Sequence, residues 1–250
     1  MFMLLNDNIL RQFRTSSALE TIDEIHLGLG YSALTLTNGS CGLCYTPKEK
    51  SGTCTVFKES TEFEGRPAIQ LLERIHDENP LIRCLVIALA NALNHSFAMG
   101  LDTDDGDVVG DLKLKKGSKV AMIGYFGPII TQLEKQGIEV RPYDIGKEIG
   151  EEKSFYSWAR AEADGLILTA TSLITNSTEE IFEKLGTTSL PSILMGPSTI
   201  ASPNLYDHLG ITYCAATVPT DVPGILKDIR NGRGTLYLHR HSRKVKLKLI

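Results

Sequence analysis

Short apolar runs alternate with helically spaced apolar residues along the second half of the chain. The clearest case is KVAMIGYFGPIITQL, residues 119–133, where a strand pattern ends at Gly124 and a helical pattern follows Pro128. The same plan predicts strands over 120–123, 139–143, 165–169, 192–195 and 212–215. It predicts helices over 129–136, 155–162, 178–185, 203–208 and 222–231. Such alternation predicts a parallel sheet with helices on both faces.

The first half of the chain has a different pattern. A helix is predicted over 6–14, followed by strands over 22–29, 31–37, 40–45 and 54–57. Asn38-Gly39 separates two of these strands and is a strong hairpin signal. The period then becomes helical over 67–75 and 81–93. An antiparallel meander followed by helices predicts a small α+β unit.

The stretch from 100 to 117 marks the boundary between these two patterns, because it is acidic and then rich in glycine and lysine. We therefore predict two domains, residues 1–110 and 111–250. The aspartates do not follow the spacing of an EF-hand, since Gly106 takes the place of a ligand. Near the C-terminus, valine and leucine alternate with lysine over 244–249, which predicts a half-exposed strand at a sheet edge, with an anion-binding tail as the alternative.

Charge and composition narrow the class of protein. The net charge of -4 and the absence of a basic tract before the C-terminus argue against a nucleic-acid partner. No apolar run approaches the roughly 18 residues that span a bilayer, so no membrane partner is expected. Five cysteines, an odd number, with no recognisable signal peptide favour a cytoplasmic protein with reduced thiols. A homodimer is compatible with these features.

Candidate chemistry follows the predicted strands of the second half, because ligands collect at the carboxyl ends of parallel strands. The loops there are rich in small residues and hydroxyl groups and poor in histidine, cysteine and lysine. The candidate ligand-binding residues in these loops are Gly124, Phe126, Asp144, Thr169, Thr171, Asn176, Ser177, Thr178, Gly196, Pro197 and Ser198.

The first of these loops does not fit a conventional NAD site. That fingerprint needs a glycine where the backbone approaches pyrophosphate, and Phe126 stands there instead. Pro128 also removes a backbone donor. Asp144 does follow the next strand, where a ribose partner would stand. We expect neither conventional NAD binding nor, in the absence of a Walker loop, ATP hydrolysis of that kind.

Two other loops allow both a structural and a binding interpretation. Asn176 or Ser177 is suited to cap the helix predicted from 178, and unused N–H groups at that end of a helix can also hold an anion. Gly196-Pro197 is either a plain turn or a loop that a ligand approaches closely.

Cys41 and Cys44 have a spacing found in zinc sites, but a structural site needs two further ligands. In a strand, the two side chains also point to opposite faces. Buried thiols are the favoured interpretation, with metal and redox roles left open.

Five stretches together resemble a family of unknown function described as "putative heavy-metal chelation". They are IHLGLGYSALTLTNGSCGLCY from residue 25, LANALNHS from 89, VAMIGYFGPI from 120, ADGLILTATSLITNSTEEIF from 163 and MGPSTIASPNLYDHLGI from 195. The resemblance implies a small α+β domain similar to the N-terminal domain of enolase, followed by a Rossmann-like α/β domain. It also implies a site in the interdomain cleft, formed by most of the loop residues above, with Asn91 and Asn94 facing it from the small domain.

The chain departs from the family pattern at two places. Ala170 stands where a glycine is expected between two threonines, and Thr175-Asn176-Ser177 replaces the usual Asn-Gly-Thr. We find no carboxylate set that would bind the magnesium of enolase, so that chemistry is not carried over.

Three hypotheses follow. The first is a protein that binds a small polar ligand, a heavy metal or a metal chelate being candidates, in the interdomain cleft. The second is an enzyme, a transferase or lyase acting on a small heterocyclic or anionic molecule there, with Asp144 and Asp221 as the acidic candidates. The third is a scaffold protein without a small ligand.

Overall fold

The computed structural model describes residues 4–47, 59, 61–186 and 190–250. Residues 54–57, predicted as a strand, lie outside this part of the chain. The elements of the first region, here called the small-sheet region (residues 4–99), are α1 Leu4–Leu19, β1 Ile22–Leu27, β2 Tyr31–Leu36, β3 Cys41–Tyr45, α2 Ile69–Leu72, a 3-10 turn Glu73–His76, α3 Pro80–Leu93 and α4 His95–Met99.

The second region, here called the large-sheet region (residues 102–250), continues the numbering. Its elements are β4 Asp102–Thr103, α5 Val108–Asp111, β5 Lys119–Ile123, α6 Gly127–Lys135, β6 Glu139–Tyr143, a 3-10 turn Ile145–Lys147, α7 Glu152–Glu162, β7 Gly165–Thr169, α8 Thr171–Ile174, α9 Thr178–Leu185, β8 Ser192–Met195, a 3-10 turn Asp207–Leu209, β9 Tyr213–Pro219, α10 Val222–Arg230, α11 Thr235–Leu238 and β10 Ser242–Lys248. No helix among the described residues has the length and apolar character needed to cross a membrane.

The large sheet has the order β4-β10-β9-β8-β7-β5-β6. Strands β5 to β9 run parallel, and β10 and β4 are antiparallel to their neighbours. The predicted α/β class with a mostly parallel sheet is therefore confirmed. Because β6 and β7 lie on opposite sides of β5, the strand order reverses between β5 and β7.

Alternate residues of the central strands face different apolar layers. Val120 and Met122 pack with Leu133 of α6 on one face, whereas Ala121 packs with Phe155 of α7 on the other. Helices thus cover both faces of the sheet, as the continuous apolar runs predict.

Two local predictions for this region are wrong. The segment predicted as a helix over 203–208 forms only the 3-10 turn Asp207–Leu209, because Asn204 takes a left-handed conformation with φ +63. The C-terminal strand forms but is not at the sheet edge. It pairs with β9 along its length, and its other side pairs with β4 at Val245 and Lys246.

The small sheet is an antiparallel meander in the order β1-β2-β3, as predicted. Gly39 makes the predicted hairpin turn with φ +84. Helix α3 packs directly on β3 at Gly42, where a Cβ atom would lie 2.0 Å from the carbonyl oxygen of Ala88 and 2.3 Å from the nitrogen of Ala92. Only glycine allows this close approach of helix and strand.

A buried arginine connects the two regions. Arg83 of α3 is 3% exposed, and its guanidinium donates to the carbonyl oxygens of Leu173 (2.6 Å) and Ile174 (2.8 Å) in α8. It also donates to the carbonyl oxygen of Ile75 and to Oδ1 of Asn6. No carboxylate among the described residues forms an ion pair with it. Burial lowers the pKa of Arg83 to about 10, so the group keeps its charge near neutral pH.

Apolar packing joins the same two regions. One cluster of buried residues runs from Leu34 in the small sheet to Leu168 in the large sheet. A second contact is made by α10, where Ile225 and Ile229 pack on Ala33 and Leu43 of the small sheet. The division into domains at residue 110 therefore stays a prediction, since packing is continuous across it.

We expect Gly42→Ala to destabilise the fold by about 3 kcal/mol or more, because the new methyl group would meet backbone atoms that cannot move independently. Urea unfolding followed by circular dichroism measures the change. Gly30→Ala is the matched control, because nothing lies within 4 Å of a Cβ atom there. Equal stability of the two variants would contradict the close packing of α3 on β3.

Replacing Arg83 by methionine should lower the free energy of unfolding by about 3 kcal/mol, since several buried carbonyl groups lose their donor. Arg83→Lys should recover only part of this, because an ammonium group lacks the planar fork that serves divergent acceptors. Urea unfolding again gives the measurement. A methionine variant as stable as the wild type would show that the guanidinium does not hold the regions together.

Candidate functional site

The parallel strands β6, β5, β7 and β8 all end on the same side of the large sheet, here called its carboxyl edge. Backbone hydrogen bonds connect the loops there: the nitrogen of Gly124 donates to Tyr143 (2.8 Å), that of Ala170 to Met195 (2.9 Å) and that of Gly196 to Ala215 (3.2 Å). The structure thus brings together the predicted residues Gly124, Phe126, Asp144, Thr169, Thr171, Gly196 and Pro197 at this edge.

The loops after β5 and β7 touch each other where the strand order reverses. Gly124 has φ +93, and a Cβ atom on it would lie 2.8 Å from Cβ of Thr169. A glycine is needed here both for the backbone conformation and for the space. In open parallel sheets this reversal point is where ligands bind.

Hydroxyl groups line the loop after β7. Oγ1 of Thr169 and Oγ1 of Thr171 are 2.7 Å apart, and Oγ of Ser172 donates to the carbonyl oxygen of Thr169 (2.9 Å). The two threonine side chains are half-buried. They can offer donors and acceptors to a polar molecule at the edge.

The aromatic residues after β5 take different positions. Phe126 is half-buried and packs against the apolar layer that includes Leu133 of α6. Tyr125 is 44% exposed, and the ammonium of Lys147 lies 4.9 Å from its ring centroid. Tyr125, rather than Phe126, therefore presents the more open ring for stacking.

The carboxylate of Asp144 lies beside the ammonium of Lys147. Asp144 follows β6, and its Oδ1 accepts a hydrogen bond from the backbone nitrogen of Lys147 (3.1 Å). The ammonium of Lys147 is 3.9 Å from Oδ2 of Asp144 and donates to the carbonyl oxygen of Tyr125 (3.3 Å). The end of β6 thus carries a charge of each sign next to an exposed ring.

Tyr45 of β3 approaches this edge from the small-sheet region. Its backbone nitrogen donates to Oγ of Ser198 (2.9 Å), and its ring lies edge-on to Tyr31 at 6.1 Å. Burial, then Tyr31, then Asp144 raise the pKa of Tyr45, so its hydroxyl stays protonated at neutral pH. Sequence reasoning missed Tyr45, and the only available signal was its position at the end of a strand.

Asn176 and Thr178 lie in a separate small pocket beneath α1, lined by Leu5, Asn6, Ile9, Arg83, Ser172, Leu173, Asn176, Thr178 and Glu179. Oδ1 of Asn176 accepts from Nδ2 of Asn6 (3.1 Å), and Oγ1 of Thr178 donates to Oγ of Ser172 (2.8 Å). Asn176 has φ +56, which explains an asparagine in this turn.

The predicted cap of α9 is wrong in one detail. Ser177 occupies the N-cap position, but its side chain makes no capping hydrogen bond. Its hydroxyl is instead 2.9 Å from Oγ1 of Thr175.

Of three further candidates, Ser198 and Asn94 bond across the two regions, whereas Asn91 bonds within the small-sheet region. Oγ of Ser198 bonds to Tyr45 as above and also accepts from the thiol of Cys44 (3.5 Å). The amide nitrogen of Asn94 donates to the carbonyl oxygen of Ala201 (2.7 Å), and that of Asn91 donates to Leu43 (3.0 Å). These bonds explain the three side chains without a ligand.

Cys41 and Cys44 form no metal site with any other residue that the structure describes. Cys41 and Cys44 are buried and free, and they pack into different apolar clusters on the two faces of the small sheet. Burial raises the pKa of Cys41 to about 12 and also raises that of Cys44, so both are neutral thiols. Metal ligation requires thiolates. Among the described residues, no three histidine, cysteine or acidic side chains are grouped to hold a metal.

Comparisons with known proteins place the chain in a family. Residues 107–248 match the model of the DUF364 family, and residues 11–94 match that of DUF4213; both carry the description "putative heavy-metal chelation". A search of curated proteins found no match.

Two solved structures share the fold. One is a protein of unknown function from the DUF364 family of Pyrococcus horikoshii, with a TM-score of 0.80 and 16% identity, covering 98% of this chain and 100% of that one. The other is a protein of unknown function from the same family of Desulfitobacterium hafniense, with a TM-score of 0.75 and 16% identity, covering 97% and 98%. The chain belongs to the DUF364 family, described as "putative heavy-metal chelation".

Proposed function

We propose that the protein binds a small polar organic molecule, a metal chelator or its metal chelate, in a cleft between Tyr45 and the carboxyl edge of the large sheet. The observation that carries this proposal is the contact between Gly124 and Thr169 at the point where the strand order reverses. Gly124 itself is buried, and the half-buried hydroxyl groups of Thr169 and Thr171 beside it are the groups that we propose contact a ligand at this reversal point.

The donor set favours a chelate over a bare metal ion. The edge offers threonine hydroxyls, backbone groups and the carboxylate of Asp144, which are poor ligands for soft metals. The soft donors, Cys41 and Cys44, are neutral thiols within apolar clusters. A chelator that brings its own metal ligands needs only hydrogen bonds and stacking from the protein.

Each group at the edge has a role in this proposal. Tyr125 stacks against a planar part of the ligand, and Lys147 beside it balances a negative charge. Thr169 and Thr171 donate to and accept from its polar atoms, and the phenol of Tyr45 donates from the opposite side. Gly196, with φ +124 and open space around its Cβ position, permits close approach to the backbone.

In native mass spectrometry, protein purified without a tag should show the extra mass of a bound organic molecule. Elemental analysis of the same sample should find metal only when that molecule is bound. Gly124→Val should lose the bound mass, since the side chain would displace Thr169. Gly106→Val is the matched control, because Gly106 has φ +76 but open space and lies away from the edge.

Two outcomes would contradict this function. One is a bare chain mass that stays bare after incubation with preformed metal chelates. The other is a stoichiometric metal ion that is bound without an organic molecule and is lost in Cys41→Ser. That result would place the metal site at the buried thiols.

The second candidate function is an enzyme acting on the same molecule, and the presence of the Asp144 carboxylate after β6 at the site favours it. A carboxylate is a proton acceptor in general acid–base catalysis. Asp221, the other acidic candidate, follows β9 and bonds to Nδ1 of His241 (2.7 Å). Four strand spacings separate β6 from β9, about 19 Å, so the two aspartates do not act on one atom.

If the protein is an enzyme, Asp144→Asn should retain the bound molecule and lower its conversion by about 100-fold or more, the usual contribution of a general acid or base. Mass spectrometry of the molecule during incubation measures this. Asp221→Asn should convert it at the wild-type rate. Equal rates for all three proteins would leave Asp144 without a chemical role.

A further inference from the structure

Two segments far apart in sequence lie against each other. The turn between β1 and β2 meets the segment after α10, where a Cβ atom on Gly232 would lie 3.1 Å from Cδ1 of Leu29. The hydroxyl of Tyr31 is 2.7 Å from Oγ1 of Thr235. We define the leucine–arginine surface as the exposed residues of these two segments and of the neighbouring helix α10: Leu29, Lys227, Arg230, Arg233, Leu236, Tyr237 and Arg240.

This surface exposes apolar side chains that a globular protein would bury. Leu29 and Leu236 are each 79% exposed, and Tyr237 is 39% exposed. Leu27, at 41%, lies beside the turn. Isolated exposed leucines need no explanation, but a group of them on adjacent turns indicates an interaction surface.

Positive charges lie against Tyr237 and flank it along the chain. The guanidinium carbons of Arg233 and Arg240 lie 4.8 Å and 4.7 Å from the ring centroid of Tyr237. Arg233 also pairs with Asp228 (2.9 Å). Arg230, Arg240 and Lys227 form no ion pair with a carboxylate among the described residues. The surface therefore carries unbalanced positive charge in a chain whose net charge is -4.

We propose that this surface docks on an anionic lipid bilayer, with Leu29 and Leu236 inserted among the headgroups and the arginines on lipid phosphates. Basic side chains are attracted to anionic lipids, and exposed apolar side chains add affinity by burial. A second copy of the chain is a poorer occupant, because a two-fold contact would bring two copies of the same positively charged surface together. Docking of this kind requires no membrane-spanning helix, and the vesicle experiment below would decide between it and the sequence-based expectation of no membrane partner.

Co-sedimentation with vesicles tests the proposal. The full chain should bind vesicles of phosphatidylcholine that contain one quarter phosphatidylglycerol, and it should dissociate from them in high salt. It should not bind vesicles of pure phosphatidylcholine. The double variants Leu29→Ser/Leu236→Ser and Arg230→Gln/Arg240→Gln should each lower the partition coefficient about tenfold or more.

Matched variants control for general charge and hydrophobicity. Lys115→Gln/Lys116→Gln removes the same charge elsewhere, and Leu19→Ser removes a leucine that is 82% exposed. The proposal is overturned by absence of binding to anionic vesicles or by equal losses in the control variants. It is also overturned if ultracentrifugation shows a dimer that the leucine variant dissociates, since the surface would then belong to a second copy.

Discussion

The buried guanidinium of Arg83 joins the small-sheet region to the large-sheet region, alongside the apolar packing between them. It comes from the central helix of the small-sheet region and ends on the carbonyl oxygens of Leu173 and Ile174, directly after the threonine loop of the candidate site. Carbonyl groups rather than a carboxylate receive it, so its charge is balanced by dipoles at the C-terminal end of α8. A planar group with several donors can hold divergent acceptors at once, which makes the contact specific in orientation.

Two glycines, which have no side chain beyond a hydrogen, allow the close backbone contacts around the candidate site. Gly42 lets α3 lie directly against β3, which places the end of β3 and Tyr45 near the loop that carries Ser198. Gly124 lets the loops after β5 and β7 touch. Both are contacts between backbone segments far apart in sequence. Close backbone contacts therefore position the loops of the candidate site. The side chains of these loops add hydrogen bonds to that arrangement.

The features that the sequence predicted well are local in character. Strand ends at Gly124, Asp144, Thr169 and Gly196 follow from short apolar runs and the residues that stop them, and the parallel arrangement follows from their alternation with helices. Tyr45 and Arg83 were missed because their importance depends on partners more than 90 residues away. Asn94 and Ser198 also bond to segments 107 and 153 residues away. Asn91 bonds to Leu43, 48 residues away. A sequence alone does not distinguish such structural bonds from ligand contacts, and a ligand role for these three residues stays a prediction. The helix predicted over 203–208 failed because composition does not reveal the left-handed conformation of Asn204.

The protonated thiols of Cys41 and Cys44 argue against direct binding of a heavy metal by these two residues. Binding a soft metal at Cys41 and Cys44 would require deprotonating groups whose pKa values burial has raised, and turning side chains from two faces of a sheet toward one point. The cost of both changes would fall on the packing of α3 and α10 against the small sheet. An organic chelator avoids both, because it supplies the metal ligands and leaves the protein to recognise its outline and polar atoms. Specificity for a metal would then come from the chelator, and the loops at the sheet edge need only distinguish one small molecule from another.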